Sequence, residues 1–455
     1  MHYIIKNKVA GFLLLYLSIL FYFYFLKSTT YIDNDEIVNI NTYLYPELLF
    51  LKNYPNNHIF TSLYGIIIKF FFGIDIIYLR LLSWFSFLGI IYFFLKIFKN
   101  NLTLSLFILL FSLSNYLFTY TIYFRGYYFS SLLFVLIFYL LKKHDHSKSY
   151  GYIKIIFLLC SLLIFGIMSN LYIVLPLIVS IFLTFKTRII KVFVIYFLIP
   201  TIICQSLSII SVGISSNYQI FINHYGFNIY FFQLIIDNFS TVLNSGFKTI
   251  FFSPFTAEVL NLKLMIKFFN YDWSIFIIFF LSLFISIYNF AKKKNNIFDL
   301  VILLFFITFF LLNKSPPLRA HIGYIYFFIF YIFSNFEDKY NYKLSEVFKT
   351  TCLIITLILS LMIINFKQST VLMTEHLLFN IDPGFPAPPI KTLTSDLDKG
   401  LFKNKKVKED LEKCILTNET LIEYNRAYYF YLYQTKCKTI NDFRIFRKFY
   451  KNNQI

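Results

Sequence analysis

Long apolar runs recur through the first 366 residues, and this feature limits the possible fold more than any other. A helix needs roughly 20 apolar residues to cross a bilayer, and the runs approach that length. They lie at about 9–26, 78–98, 102–119, 127–142, 152–168, 170–185, 191–213, 273–291, 297–312, 319–335 and 350–366. The sequence therefore predicts an all-α polytopic membrane protein of about 11 transmembrane helices. The hairpin at 152–185 leaves the exact number open, because its two runs are short.

The composition excludes an ordinary soluble enzyme. Hydrophobic residues make up 58% of the chain and charged residues only 14%, whereas soluble domains carry about 25% charged residues. The formal net charge of +19 does not indicate nucleic-acid binding, because the basic residues lie mostly in short loops between apolar runs and in the tail. That distribution is the positive-inside pattern of membrane proteins, so the partners that we expect include membrane lipids but no nucleic acid.

The basic loops also predict the orientation of the chain. Alternate loops carry lysine or arginine, and all of these loops fall on one side of the membrane if the N-terminus is cytoplasmic. The residues concerned are Lys6, Lys8, Lys96, Lys99, Lys142, Lys143, Lys148, Lys186, Arg188, Lys191, Lys292, Lys293, Lys294, Lys339, Lys343 and Lys349. The loops at 27–77 and 214–272 then face outward, and so does the tail. Within the first loop, we expect the apolar segment 58–73 to lie at the membrane interface or to re-enter the membrane.

The chain divides into a predicted transmembrane domain, 1–366, and a polar tail, 367–455. Proline-rich residues 382–389 predict a stiff linker, and beyond it we expect one helix and two strands, which would make a small extracytoplasmic α+β appendage. Cys414 and Cys437 lie in the tail, and the sequence does not decide whether they form a disulfide. No CxxC motif, His/Cys cluster or nucleotide-binding glycine motif occurs, so the sequence predicts neither a metal nor a bound cofactor.

Three carboxylates cluster within four positions directly after the first apolar run: Asp33, Asp35 and Glu36. Carboxylates at a membrane surface are costly, so such a cluster points to a specific role. One interpretation is structural, since Asp33 and Glu36 have the spacing of a helix capping box. The other is a general base that takes a proton from an acceptor hydroxyl. Asp35 is the better candidate for this base, because a capping box does not use it.

Further polar residues are expected at the same membrane face. Asn57 and His58 precede the apolar segment, where they either position a substrate or form a turn. Arg80 and Arg125 each open an apolar run; they are predicted to snorkel to headgroups, to pair with the loop carboxylates, or to contact a phosphate. Arg319 follows two prolines in a short rigid loop, which suits two-point binding of a phosphate. Lys248 on the long loop is a further candidate cation for phosphate or headgroups.

Several of these motifs, in this order, resemble those of the GT-C superfamily of membrane glycosyltransferases, in particular the dolichyl-phosphate-mannose-protein-mannosyltransferase-like and lipid A aminoarabinose transferase-like members. The resemblance covers roughly residues 1–190, with one late element near Arg319. Leu82 and Ile59 stand where the family commonly has proline. The motifs are Asp35-Glu36, Asn56-Asn57-His58, Gly73 with Leu79-Arg80-Leu81-Leu82-Ser83, Arg125-Gly126-Tyr127, and Pro317-Leu318-Arg319.

The resemblance implies a GT-C-like fold and a hexosyl or pentosyl glycosyltransferase. Its donor would be a polyprenyl-phosphate sugar and its acceptor a hydroxyl on a glycan, lipid or protein. It also implies that Asp35 is the catalytic base, that transfer occurs outside the cytoplasmic membrane, and that no metal takes part. Asp33, Glu36, His58 and Asn57 would support or position the substrates, and Arg319, Arg125, Arg80 and Lys248 are candidates for the phosphate. The sugar, the acceptor and the carrier length are not specified by the sequence.

Three other functions remain open from the residues. A transporter or lipid flippase would be expected to carry charges in mid-span and paired repeats, which the sequence lacks. An O-antigen-type polymerase or ligase would rely on a late external loop rich in arginine, whereas 214–272 contains lysine but no arginine. The third alternative is a non-catalytic scaffold with a GT-C-like fold.

Overall fold

The computed structural model describes residues 13–21, 36, 39–40, 44, 58–114, 117, 120–121, 123–147, 150–185, 189–212, 273–292, 296–311, 321–339 and 348–363. Within these ranges every regular element is a helix. The helices are α1 (13–21), α2 (Ile59–Phe72), α3 (Ile76–Ile97), α4 (Asn101–Leu113), α5 (Tyr127–Ser147), α6 (Tyr150–Gly166), α7 (Leu171–Phe185), α8 (190–212), α9 (Trp273–Ala291), α10 (Ile297–Leu311), α11 (Ile322–Lys339) and α12 (348–363).

The predicted helical character of the apolar runs is confirmed for most of the residues that the structure describes. Both halves of the 152–185 hairpin are helical, with a short 3-10 turn, Met168–Asn170, between them. In the run predicted at 102–119, α4 ends at Leu113 because the backbone is extended at Ser114, and Leu117 is helical again. The segment Ile77–Ile97 has the length and apolar character needed to cross a bilayer, and further apolar helical segments of 10 to 17 residues lie within the described ranges. The tail and the loop 214–272 lie outside those ranges.

Local sequence explains where α2, α3 and α4 end or begin. α2 ends at Gly73, whose φ of 79° lies in the region that favours glycine. The side chain of Asp75 then caps α3 by accepting a hydrogen bond from the backbone N–H of Ile77 at 2.9 Å. Asn100 caps α4 in the same way, since its Oδ1 accepts from the N–H of Leu102 at 3.0 Å. The chain therefore turns sharply before α3 and before α4, and a side chain caps the start of each of these two helices.

Helix α5 lies at the centre of the bundle, where it packs against α3, α6 and α11. Aromatic rings fill much of the surrounding core. Phe94 stacks on Phe107 with ring centres 4.3 Å apart, and Phe138 lies 4.4 Å from Phe298. These contacts hold α3 to α4 and α5 to α10. Large apolar side chains also cover much of the outside of the helices, including Phe70, Leu183, Ile202, Phe284 and Met362.

The helices α3, α5 and α11 all begin at the same end of the bundle. We call this end the site end. The opposite end is held by its own polar contacts. Glu337 on α11 accepts hydrogen bonds from the backbone N–H groups of Lys99 and Asn100, both at 3.1 Å. Lys142 on α5 donates to Ser334 at 3.1 Å. The ends of α3, α5 and α11 are therefore fixed relative to one another at this opposite end.

A buried carboxylate, Asp299, stands in the first turn of α10 at the opposite end. Its oxygens accept hydrogen bonds from Asn289 Nδ2 at 3.0 Å, from the backbone N–H of Asn296 at 3.0 Å and from the hydroxyl of Tyr331. In return, Asn296 Oδ1 accepts from the N–H of Asp299 at 2.9 Å, which completes a reciprocal cap. Each oxygen of this carboxylate has a donor, so its role is to join α9, α10 and α11.

Helix α8 contains one wide turn. Residues Val194–Leu198 form a π-helical turn, which closes with a hydrogen bond from the N–H of Ile199 to the carbonyl of Val194. Pro200 follows at once. A proline has no N–H and its ring clashes with the carbonyl four residues earlier, so an ordinary α-turn is disfavoured at this point. The wider turn lets the helix continue past the proline.

Candidate functional site

The site end is organised around a buried ion pair. Arg80, in the first turns of α3, donates from Nε to Glu36 Oε1 at 3.0 Å and from Nη2 to Glu36 Oε2 at 2.6 Å. The two side chains are 3% and 0% exposed. Two parallel hydrogen bonds between a guanidinium and a carboxylate are both strong and directional. The pair therefore fixes the acidic segment of the first loop against the beginning of α3.

The same carboxylate also holds the segment 123–126, which leads into α5. The backbone N–H of Phe124 donates to Glu36 Oε1. From α3, the hydroxyl of Ser83 lies within hydrogen-bond distance of the carbonyls of Tyr123 and Arg125. The guanidinium of Arg80 also lies over the ring of Tyr123, 5.9 Å from its centre. Segment 123–126 is therefore anchored to both the first loop and α3.

His58 provides a second anchor for this segment. Its Nδ1 accepts a hydrogen bond from the backbone N–H of Gly126 at 2.7 Å, and the imidazole is buried. Because Nδ1 accepts, the neutral ring carries its proton on Nε2. The ring also packs edge-on against Tyr127 at 4.5 Å. His58 thus connects the start of α2 to the start of α5.

Gly126 is required by this close packing. A Cβ at this position would lie 2.9 Å from Thr61 Oγ1 and 3.1 Å from His58 Cβ, which is too close for either neighbour to remain in place. The element that approaches Gly126 is the start of α2, which carries Thr61 and follows His58. Arg125 itself is buried, with 4% of its surface exposed, and lies between the two anchored residues.

The beginning of α11 joins the site end through α5. Ser131 on α5 donates to the carbonyl of Ile322, and Asn170 donates from Nδ2 to Ser130 at 3.1 Å and to the carbonyl of Leu163 at 2.9 Å. His321 Nδ1 and the hydroxyl of Tyr324 share a further buried hydrogen bond. The start of α11 is thereby placed beside the first turns of α5.

The predicted site residues divide into two groups. Glu36, Arg80, His58 and Arg125 meet around segment 123–126, as described above. For Arg80 the arrangement favours pairing with a loop carboxylate over contact with a phosphate, since two of its donors engage Glu36. The remaining candidates lie outside the described ranges: Asp33, Asp35, Asn57, Lys248 and Arg319.

Some residues at the site end were not singled out from the sequence. Ser83 belongs to a quoted motif, and its position three residues after Arg80 places it on the same helix face, which is a usable signal. Asn170 joins α5 to the turn before α7, but isolated asparagines have no pattern that would reveal such a role. Asn39 and Thr61 are buried polar residues as well. No sequence pattern reveals them either.

Comparisons with protein-family models, curated proteins and solved structures found no match to this chain.

Proposed function

We propose that this protein is a GT-C-like glycosyltransferase that moves a hexose or pentose from a polyprenyl-phosphate donor to a hydroxyl acceptor. The observation that carries the proposal is the double anchoring of segment 123–126 by Glu36 and His58. Residues from three separate motifs are brought together there, beside the buried Arg125. A carboxylate-bearing loop, an imidazole and a guanidinium at one end of a helix bundle suit a reaction between a hydroxyl and a phosphate-linked sugar.

The ion pair assigns different tasks to the clustered carboxylates. Glu36 is held by Arg80 and by the N–H of Phe124, so a proton acceptor for the reaction must be another member of the cluster. Asp35 is its immediate neighbour in the chain, and consecutive Cα atoms lie about 3.8 Å apart. The pair thus fixes the backbone next to Asp35, which we assign as the general base.

In the proposed reaction, Asp35 accepts the proton of the acceptor hydroxyl as its oxygen attacks the anomeric carbon of the sugar. The bond between that carbon and the phosphate oxygen breaks, and the polyprenyl phosphate leaves with the electron pair. Arg319 binds the leaving phosphate, and Arg125 adds positive charge nearby. Arg319 precedes Ile322 by three residues, so its Cα lies within about 11 Å of the start of α11.

The proposal includes a multi-pass location in the cytoplasmic membrane, with the N-terminus inside and an α+β tail outside. It is supported by the apolar helices and by the large apolar side chains on their outer surfaces. Soluble monomers rarely expose apolar patches of this extent, whereas lipid-facing surfaces require them. The site end would then face outward, because the lysine-bearing ends of α3 and α5 lie at the opposite end.

The experiment is a transfer assay with the Asp35→Asn variant. Asparagine has nearly the same volume but cannot take a proton at neutral pH, so transfer should be abolished while expression and folding persist. Asp33→Asn is the matched control and should be milder, because asparagine also caps helices. Retained transfer in Asp35→Asn would move the base to Asp33, whereas absence of transfer by the wild type would remove the enzyme proposal. Movement of a lipid-linked sugar across vesicles by both variants, without transfer, would instead identify a flippase.

A further inference from the structure

The opposite end of the bundle carries a cluster of lysines and aromatic rings where α3 meets α5. Its members, which we call the basic aromatic cluster, are Tyr92, Phe93 and Lys96 on α3 and Tyr139 and Lys143 on α5. In each helix the lysine follows its tyrosine by four residues, and residues at this spacing share a helix face. The rings of Phe93 and Tyr139, whose centres lie 5.3 Å apart, join the two helices at this point.

Two ammonium groups of this cluster meet at one ring. Lys96 Nζ lies 5.8 Å from the centre of the Tyr139 ring, and Lys143 Nζ lies 5.3 Å from it. Lys96 Nζ also donates a hydrogen bond to the hydroxyl of Tyr92 at 2.7 Å and lies 4.9 Å from the centre of that ring. The electron-rich faces of the rings attract both cations, so both are held within reach of one headgroup.

These contacts do not neutralise the positive charge. In the described part of the chain, the groups that contact Lys96 and Lys143 are tyrosine rings and one hydroxyl, which are neutral. The carboxylate of Glu337, at the same end of the bundle, accepts instead from the backbone N–H groups of Lys99 and Asn100. Because two like charges repel each other at a shared ring, an anion placed between them is favoured.

The cluster is open to its surroundings and continues into an apolar stripe. Both lysines are exposed, Tyr92 is 54% exposed, and Tyr139 is half-buried. Phe85, which is 59% exposed, lies seven residues before Tyr92, two turns away on the same face of α3. The stripe therefore leads from the two cations toward the middle of the helix. A ligand that matches both features has a negative headgroup and apolar chains.

We propose that the basic aromatic cluster binds one anionic phospholipid. Lys96 and Lys143 contact its phosphate diester, and its acyl chains lie along Tyr92 and Phe85. A soluble anion would use the cations alone and would gain nothing from the apolar stripe. The inference rests on the membrane location included in the proposed function, which places the cluster at the cytoplasmic leaflet, but it does not depend on glycosyl transfer.

The test measures the affinity of the first bound phosphatidylglycerol, by native mass spectrometry of the full-length protein in neutral detergent. Phosphatidylcholine, which has no net charge, is the reference lipid, and the wild type should bind phosphatidylglycerol more tightly. Lys96→Gln and Lys143→Gln should each weaken phosphatidylglycerol binding by about 5-fold, and the double variant by about 30-fold, because each lysine near an anionic headgroup contributes separately. The affinity for phosphatidylcholine should not change.

Lys154→Gln/Lys292→Gln is the matched control. Lys154 contacts the ring of Tyr196 and Lys292 that of Tyr288, so each of these lysines lies over a different ring. The two double variants have the same net charge, so any general attraction between the protein and anionic lipid falls equally in both. The control should keep nearly the wild-type affinity for phosphatidylglycerol. Lys96→Arg/Lys143→Arg, which keeps both charges, should keep it as well.

Three outcomes would overturn the site. They are equal losses of affinity in the two glutamine double variants, a wild type that does not prefer phosphatidylglycerol, and displacement of bound phosphatidylglycerol by inorganic phosphate at the same concentration. Because the substituted lysines are exposed, thermal unfolding without lipid should not change. Should the double variant not fold, the 5-fold loss in either single variant decides.

Lipid binding and glycosyl transfer fail separately in these experiments. A wild type that binds phosphatidylglycerol at the cluster but transfers no sugar would contradict the proposed function and leave the lipid site in place. A wild type that transfers sugar but shows no preference for phosphatidylglycerol would refute the lipid site alone.

Discussion

Arg80 and Glu36, 44 positions apart in the chain, form a two-point ion pair that is almost completely shielded from solvent. Removing two charges from water is costly, and their mutual attraction offsets this cost only while both are present. The pair is therefore a tie between the first loop and α3 that depends on each partner. It also leaves the neighbouring carboxylates as the candidates for proton transfer.

We expect Arg80→Met and Glu36→Gln each to lower the free energy of unfolding by about 3–5 kcal/mol, because each leaves a buried group without its partner. The double variant Arg80→Met/Glu36→Gln should lose less than the sum of the two single variants. Unfolding in mixed micelles gives these values. Lys154→Met, at an exposed position, is the control and should change stability by less than about 0.5 kcal/mol. Additive losses would show that the two residues do not act as a pair.

His58 offers a test of atomic role. The amide oxygen of asparagine can occupy the place of Nδ1, whereas that of glutamine reaches the place of Nε2. If His58 acts by holding Gly126, His58→Asn should retain most of the activity and stability, and His58→Gln should lose about 1–3 kcal/mol of stability by leaving a buried N–H unpaired. Activity and thermal unfolding are measured on both variants. The reverse order, with Gln active and Asn inactive, would assign His58 to substrate contact through Nε2.

Arg319 is expected to bind the donor phosphate. Arg319→Ala should remove a charge-assisted contact worth about 1.5–3 kcal/mol, which is a loss of about 10- to 150-fold in catalytic efficiency. Arg319→Lys should recover only part of it, since a point charge does not reproduce the guanidinium fork. Steady-state kinetics with a polyprenyl-phosphate sugar provide the measurement. An arginine that only contacts headgroups would be replaced fully by lysine, and its alanine variant would keep normal turnover.

The orientation of the chain predicts an exported tail. A phosphatase reporter that is active only outside the cytoplasm, fused after Ile455, should be active, and one fused in the lysine-rich stretch at 292–294 should be inactive. Activity measured per amount of fusion protein tests this. An inactive reporter after Ile455 would mean that the chain crosses the membrane an even number of times. The predicted number of transmembrane helices would then be wrong.

Much of the helical architecture could be predicted from the sequence, because apolar runs of this length have few alternatives to a helix. The exception at α4 is instructive. Tyr116, Leu117 and Phe118 continue the apolar run beyond Ser114, so hydropathy extends the helix to 119, whereas the backbone is extended at Ser114. The serine hydroxyl then accepts a hydrogen bond from the N–H of Leu117 at 3.1 Å. Leu117 is itself helical, so this contact has the form of a helix N-cap that interrupts the run at Ser114, and hydropathy does not record it.

The sequence singles out the residues of the candidate site, but it does not predict which of them pair with each other. Clustering and motif order singled out Glu36, Arg80, His58 and Arg125, yet they left Arg80 with a choice between a carboxylate, a phosphate and the headgroups. Only the packing of the first loop on α3 decides between these partners. Asn39 and Thr61 are ordinary in sequence, and only the structure shows that they are buried.

The wide turn in α8 has a consequence for the phase of that helix. An α-helix advances by about 100° per residue, so the one extra residue in the turn at Val194–Leu198 rotates everything after it by about that angle. A stripe of residues that faces the bundle before the turn therefore faces sideways after it. The exposed Ile190, before the turn, and the exposed Ile202 and Ile203, after it, must therefore be assigned to surfaces separately. Helical periodicity drawn straight through Pro200 would assign one of the two halves to the wrong neighbours.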